Sequence, residues 1–131
     1  MSGKYSRDKG ARGEREAAKI LSNITGYDVE RSARNGVHDA YDLTGLPGFQ
    51  IEVKFYGDFT ESLADVWWSR IYDTAVRKSN DREALIPLLM YRRNHGPWRI
   101  RTLYPDETDQ GSWVEMTPST FGAFYNIGKW S

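Results

Sequence analysis

The stretch from residue 40 to residue 56 constrains this 131-residue chain more than any other. Two runs of alternating apolar and polar residues, 40–45 and 49–56, flank Leu46-Pro47-Gly48, so they are predicted to form a β-hairpin. In the second run Ile51, Val53 and Phe55 point one way, and Gln50, Glu52, Lys54 and Tyr56 the other. With the loop confined to 46–48, residue 45 pairs with 49 and residue 42 with 52. Asp42 then lies opposite Glu52, with Cβ atoms about 4.5–5.5 Å apart, and Lys54 follows Glu52 on the same face at about 6–7 Å. A bulge at Gly48 would shift this register by one residue.

Two carboxylates facing each other on a sheet destabilise it. A divalent cation between them reverses the sign, and Mg²⁺ (or Mn²⁺ in its place) suits carboxylate and water oxygens together with a substrate phosphate. Such an ion lowers the pKa of a bound water and polarises a phosphate, and Lys54 is placed to steady the charge that develops. The implied chemistry is phosphodiester hydrolysis. A solvated strand face is the simpler reading of Glu-Val-Lys taken alone. Asp39, at the strand entrance, competes with Asp42 for the same role. His38 is near enough in sequence to approach a phosphate, and His95 falls in a turn and receives no role.

The segment 9–24 reads as a helix, with Ala17, Ile20, Leu21 and Ile24 at helical spacing. Glu14 falls within about 60° of Ala17 and Leu21 around that helix, whereas Glu16 points away. A carboxylate on the core side needs a partner. An ion pair with Lys54 or an arginine satisfies it, and so does a metal. If a metal, then Glu14, Asp42 and Glu52 converge with Lys54 on one side of a small sheet.

The remaining pattern predicts a polar arm at 1–8, strands at 27–32, 84–91, 98–104 and 113–116, and helices at 62–78 and from Thr117-Pro118-Ser119 to about Asn126. The order is α-β-β-β-α-β-β-β-α, a mixed sheet packed by helices in a single domain over 1–131. The apolar run 84–91 fits a strand buried on both faces, and Pro87 within it suggests a bulge or an edge. Trp67-Trp68 on the second helix, or the strand 84–91, are candidate surfaces for a dimer interface, with at least one of the tryptophans expected in the core.

Lysine and arginine total 18 and aspartate and glutamate 18, so net charge alone does not point to nucleic acid. The distribution is uneven: Lys4, Arg7, Lys9 and Arg12 cluster at the start, Arg31 and Arg34 after the first short strand, and Arg92, Arg93, Arg99 and Arg101 around a later turn. Each cluster is either a positive patch or ordinary solvated surface. With no cysteine, disulfides and thiolate metal sites are excluded. No apolar run approaches a membrane span, and the polar start lacks a signal-peptide core, which fits a cytoplasmic protein, in the host cytoplasm if the source is viral.

Lys9-Gly-Ala-Arg-Gly-Glu14-Arg-Glu, Val29-Glu-Arg31-Ser-Ala, Asp42-Leu and Ile51-Glu52-Val-Lys54 together resemble the archaeal-type Holliday junction resolvases of the PD-(D/E)XK nuclease superfamily, short relatives of which occur in bacteriophages. The resemblance implies a restriction-endonuclease-like α/β fold: a mixed central sheet flanked by helices. It implies that Glu14, Asp42 and Glu52 bind Mg²⁺ and that Lys54 assists catalysis. It further implies that Lys9, Arg12, Arg31, Ser32 and Arg34 approach DNA, that the protein acts as a homodimer on four-way junctions, and that it uses no small-molecule cofactor. The loop 33–38 and the zero net charge depart from the family pattern. A structure-selective or general phage endonuclease of the same fold, and a DNA-binding protein with a vestigial site, are the alternative readings.

Overall fold

The computed structural model describes residues 3–32, 41–79, 85–104 and 112–130, with side chains from residue 8 onward in the first segment and up to residue 75 in the second. Helix α1 spans Gly3–Thr25, followed by strands β1 (Glu30–Arg31), β2 (Leu43–Thr44) and β3 (Phe49–Tyr56). Helix α2 covers Glu61–Ser79, strands β4 (Ile86–Arg93), β5 (Arg99–Leu103) and β6 (Trp113–Met116) follow, and α3 closes the order at Pro118–Asn126. The predicted sequence of elements is the observed one. The first helix begins earlier than expected, at Gly3 in place of a polar arm, and the first two strands are far shorter than their alternation suggested. At the other end Thr117 caps α3 as its sequence signal predicts, its hydroxyl accepting from the Thr120 amide and Pro118 opening the helix.

The six strands among the described residues lie in chain order β1-β2-β3-β4-β5-β6. All neighbours are antiparallel except β3 and β4, which run parallel because α2 carries the chain back between them. Both faces of the sheet are covered. Ala17, Ala18 and Leu21 of α1 and Phe121 of α3 pack on Ile51, Val53, Phe55, Leu88, Met90 and Ile100. On the other face Trp67, Trp68 and Ile71 of α2 pack on Leu89 and Tyr91. Burial on both faces explains the near-continuous apolar run of β4.

Three expectations change here. Pro87 is in an interior strand, not at an edge or bulge. The Ile86 amide points at β3 (Ile86 N–H to Gly48 O, 2.8 Å), so position 87 faces β5, where the ladder begins only at Leu88. Pro87 therefore removes no ladder bond. Trp67 and Trp68 are both core residues, so neither is a surface for a dimer contact. Strand 84–91 is interior and is likewise closed to that role.

The sheet and α1 approach unusually closely at one point. A β-carbon on Gly13 would sit 2.7 Å from Phe55 Cβ, so only glycine lets α1 lie this deep. Gly45 does the same for the hairpin: its φ is +108°, and a β-carbon there would meet Asp28 O at 2.3 Å. These two contacts set α1, the entry to β1 and the β2–β3 hairpin against one another.

Candidate active site at the open edge of the hairpin

The pair Leu43↔Ile51 keeps the expected register through the turn, so no bulge intervenes at Gly48, and Asp42 lies beside residues 51–53 of β3. Asp42 lies just ahead of β2 and is held from two sides. Its amide donates to Ile51 O at 2.9 Å, and its Oδ2 accepts from the Val53 amide at 2.8 Å. These two bonds bracket Glu52. Asp42 thus extends the hairpin with its carboxylate where a longer β2 would have used its backbone.

Glu52 and Lys54 face α2, since their partners in β4 are Leu89 and Tyr91, both in the α2-side core. The Lys54 ammonium lies 5.9 Å from the centroid of Trp67, which also packs on Tyr56, at 5.0 Å between ring centroids. That stacking restricts where the lysine can reach. Gln50 precedes Glu52 on the same face. It is 1 % exposed, and its carboxamide has no hydrogen-bond partner among the described residues.

Glu14 arrives differently. Its helix covers the opposite face, with Ile51, Val53 and Phe55. The expected convergence on one side of the sheet is therefore corrected: Glu14 and Glu52 come from opposite layers and can meet only around the edge, where β1 and β2 have two residues each. Glu14 is buried, and its Oε1 accepts from Arg31 Nε at 2.9 Å. An arginine partner was one of the two readings of this carboxylate. Ser22 brings Arg31 there: its hydroxyl accepts from the Val29 amide (2.9 Å) and donates to Val29 O (3.1 Å), tying the entry of β1 to α1.

The donor chemistry of Asp42 and Glu52 suits a hard, oxygen-seeking cation. Among the described residues, however, no group of three or more His, Asp or Glu side chains is gathered where one ion could be held. Asp42 is bonded to residues 51 and 53, on either side of Glu52, and Glu14 accepts from Arg31. Asp39, His38 and Arg34 lie outside the described residues.

The basic residues divide sharply. Lys9, Arg12 and Arg15 line, with Asp8, a cavity of about 230 Å³ along α1. The cations of Lys9 and Arg12 lie 4.9 and 5.3 Å from the Phe55 ring, which Arg92 also covers at 4.4 Å. Ser32 braces the hairpin: its amide donates to Asp42 O (2.9 Å) and its hydroxyl to Tyr41 O (2.8 Å). The cluster of Arg92, Arg93, Arg99 and Arg101 is not a positive patch. Arg92 pairs with Glu16, Arg93 with Asp58, Arg99 with Glu61 and Glu115, and Arg101, 1 % exposed, with Asp65.

That last group forms a network under α2. Tyr91 donates its hydroxyl to Glu115, Arg101 stacks 3.7 Å from the Trp113 ring, and Arg99 binds Glu115 at 2.6 Å. Burial alone would raise the Glu115 carboxyl. The Tyr91 and Arg99 hydrogen bonds and the Arg99 and Arg101 charges together hold it below its ordinary value. For Tyr91, burial and then its bond to Glu115 push the phenol well above its usual range. Because Tyr91 is the register partner of Lys54, this network fixes the strand on which the lysine rests. No local pattern announces it, since it joins α2, β4, β5 and β6.

The fold is restriction-endonuclease-like. Residues 5–112 match the family described as "phage putative PDDEXK endonuclease", and the chain belongs to that family. It is thus an endonuclease of the PD-(D/E)XK class, a class that works on DNA and generally uses divalent metals. The 1.6 Å structure of Hjc, a Holliday junction resolvase from the archaeal hyperthermophile Archaeoglobus fulgidus, is similar to it with a TM-score of 0.51. That match covers 87 % of this chain and 93 % of Hjc at 17 % identity, a likeness of fold. No curated protein matches the chain by sequence. No helix among the described residues is long and apolar enough to cross a membrane.

Proposed function

We propose that this protein is a metal-dependent endonuclease that cuts branched DNA, four-way junctions foremost, as a homodimer. What supports the reading is that Asp42 is bonded to residues 51 and 53 of β3, on either side of Glu52, and that Glu52 and Lys54 share a face of that strand. Asp42 and Glu52 would hold Mg²⁺, or Mn²⁺, with Glu14 as a third oxygen donor, and the ion would supply an activated water and a polarised phosphate. Lys54, restrained by Trp67, donates to the phosphate oxygens as negative charge builds there. Val53 N–H holds Asp42 in place throughout. Lys9 and Arg12 bind backbone phosphates along α1, and Arg31 adds a further contact beside Ser32, which braces the hairpin; Arg34, outside the described residues, is proposed as a DNA contact on the resemblance alone. The fold shared with Hjc supports a junction substrate, and a two-fold dimer presents two such sites to paired strands.

Cleavage of a labelled four-way junction, beside a linear duplex of the same sequence, tests this in Mg²⁺ and in EDTA. Paired symmetric cuts in the junction alone are expected, abolished by EDTA and by Glu52→Ala with DNA binding retained. Equal cutting of the duplex would reassign the substrate to DNA in general. Undiminished cutting by Glu52→Ala would remove the site assignment itself.

A further inference from the structure

We propose that Tyr56 is a stacking platform for an unpaired nucleobase of the DNA, and that it thereby selects branched DNA over continuous duplex. The inference rests on the nuclease reading above and adds a base contact to a site so far described by its phosphate chemistry.

Tyr56 ends β3. Side chains alternate along a strand, so it shares a face with Glu52 and Lys54 and follows Lys54 at about 6–7 Å. Exposure rises along that face, from buried Gln50 through half-buried Glu52 and Lys54 to Tyr56, which is 43 % exposed. An exposed tyrosine at a strand end is ordinary by itself. This one is held from behind. Its ring packs on Trp67 at 5.0 Å between centroids, and Trp67 packs on Phe59 at 5.0 Å, both of them buried. Phe59 rests in turn on Tyr91, at 5.6 Å. The backbone is fixed too: residue 56 pairs with Arg93 of β4, and its carbonyl accepts from the Asn94 amide at 3.0 Å. The ring is therefore the solvent end of a rigid aromatic stack, and little freedom remains to be lost when a flat ligand settles on it.

Positive charge surrounds that end. The Lys54 ammonium lies 5.9 Å from the same Trp67 ring, so the cation and the tyrosine share one support. From the other layer Lys9 reaches the strand end: a β-carbon on Gly57 would lie 3.8 Å from its Nζ. The next acid along the chain, Asp58, is paired with Arg93 at 3.0 Å. A backbone phosphate drawn to Lys54 or Lys9 brings its own base toward the Tyr56 ring. Every base has a π-face, so such stacking tolerates any sequence. A base inside a duplex must first be taken out of its stack, at a cost that is least where it is already unpaired. A branch point offers such a base and a continuous duplex does not, so Tyr56 favours branched DNA without reading sequence.

The test measures binding of the full chain, in EDTA, to a four-way junction and to a linear duplex of the same sequence. Tyr56→Ala is expected to weaken junction binding about tenfold, the scale of one base–aromatic stack, and to leave duplex binding unchanged. Tyr56→Phe keeps the ring and should match the wild type. Junctions made abasic at one branch-point nucleotide at a time give the complementary loss. The wild type should lose about the same factor at one of those positions, and Tyr56→Ala should lose nothing further there. Equal affinity of the wild type for the two DNAs, junction binding that survives Tyr56→Ala, an equal loss on the duplex, or a Tyr56→Phe loss as large as that of alanine overturns the proposal. Should Tyr56→Ala fail to fold, Tyr56→Leu decides: it still covers Trp67 but has no flat π-face, so it should lose junction binding alone. Cleavage in Mg²⁺ separates the two levels. If Tyr56→Ala binds and cuts the junction as the wild type does while Glu52→Ala is inactive, only the platform falls; if Glu52→Ala cuts undiminished, the site reading falls whatever the binding contrast gives.

Discussion

Lys9 and Arg12 on α1 and Arg99 and Arg101 on β5 carry the same formal charge, but their surroundings differ. The first two share a cavity with Arg15 and a single acid, Asp8, and rest against the Phe55 ring. The second two are enclosed by Glu61, Asp65 and Glu115 and stack on Tyr91 and Trp113. A cation with carboxylate partners in a partly buried setting braces the fold, whereas cations collected at the outer side of a core ring, with one acid beside them, keep their field for a ligand. The neutral total therefore hides a division of labour. Acids are concentrated around the β5 arginines, and the α1 edge is left positive.

The largest effect expected from this contrast is on stability. Arg101→Ala removes a buried cation from among Asp65, Glu115 and Tyr91 and should cost about 3–5 kcal/mol in urea unfolding, with the salt dependence of DNA binding unchanged. A stable variant with weakened DNA binding would reverse the assignment. Next is pH. The Glu115 carboxyl is held below its ordinary value of 4.5 by its partners despite burial, so its contribution is full above that value and lost as pH falls through the depressed one. Glu115→Gln should lose about 1–3 kcal/mol at neutral pH, and its stability curve should converge with the wild type's in acid. Parallel curves down to low pH would mean that Glu115 is not the group involved.

On the other side of the comparison, Lys9→Gln with Arg12→Gln should change unfolding free energy by no more than about 0.5 kcal/mol. It should lower the slope of log affinity against log salt by about 2, one phosphate contact each. An unaltered slope would take both residues off the DNA surface. The smallest effect concerns burial without partners. Gln50 is as buried as Arg101, but its carboxamide lacks their kind of network. Gln50→Leu should stabilise by about 1 kcal/mol if that amide is a liability. Destabilisation, together with a changed pH profile of cleavage, would instead tie it to the neighbouring Glu52.

Much of the fold was legible because hydrophobic periodicity is local. The β3 limits, the α3 cap and the order of nine elements all follow from spacing within short windows. The two-residue β1 and β2 were not legible, because their alternation extends beyond the pairing that geometry allows. Pro87 misled for a related reason: whether a missing N–H matters depends on which neighbour it faces.

For the site, the sequence by itself determined the turn that pairs β2 with β3 and the face that Glu52 and Lys54 share. A short turn and a period of two leave one register that buries Ile51, Val53 and Phe55. It also determined that Glu14 is buried and in need of a partner. Only the tertiary structure decided which partner, since α1 and β1 meet through Ser22 and Val29 to bring Arg31 to the carboxylate from 17 residues away. It alone decided that Glu14 approaches from the layer opposite Glu52, and which arginines are neutralised. Ion pairing between elements far apart in the chain depends on where the helices dock against the sheet, and no local pattern of charge encodes that.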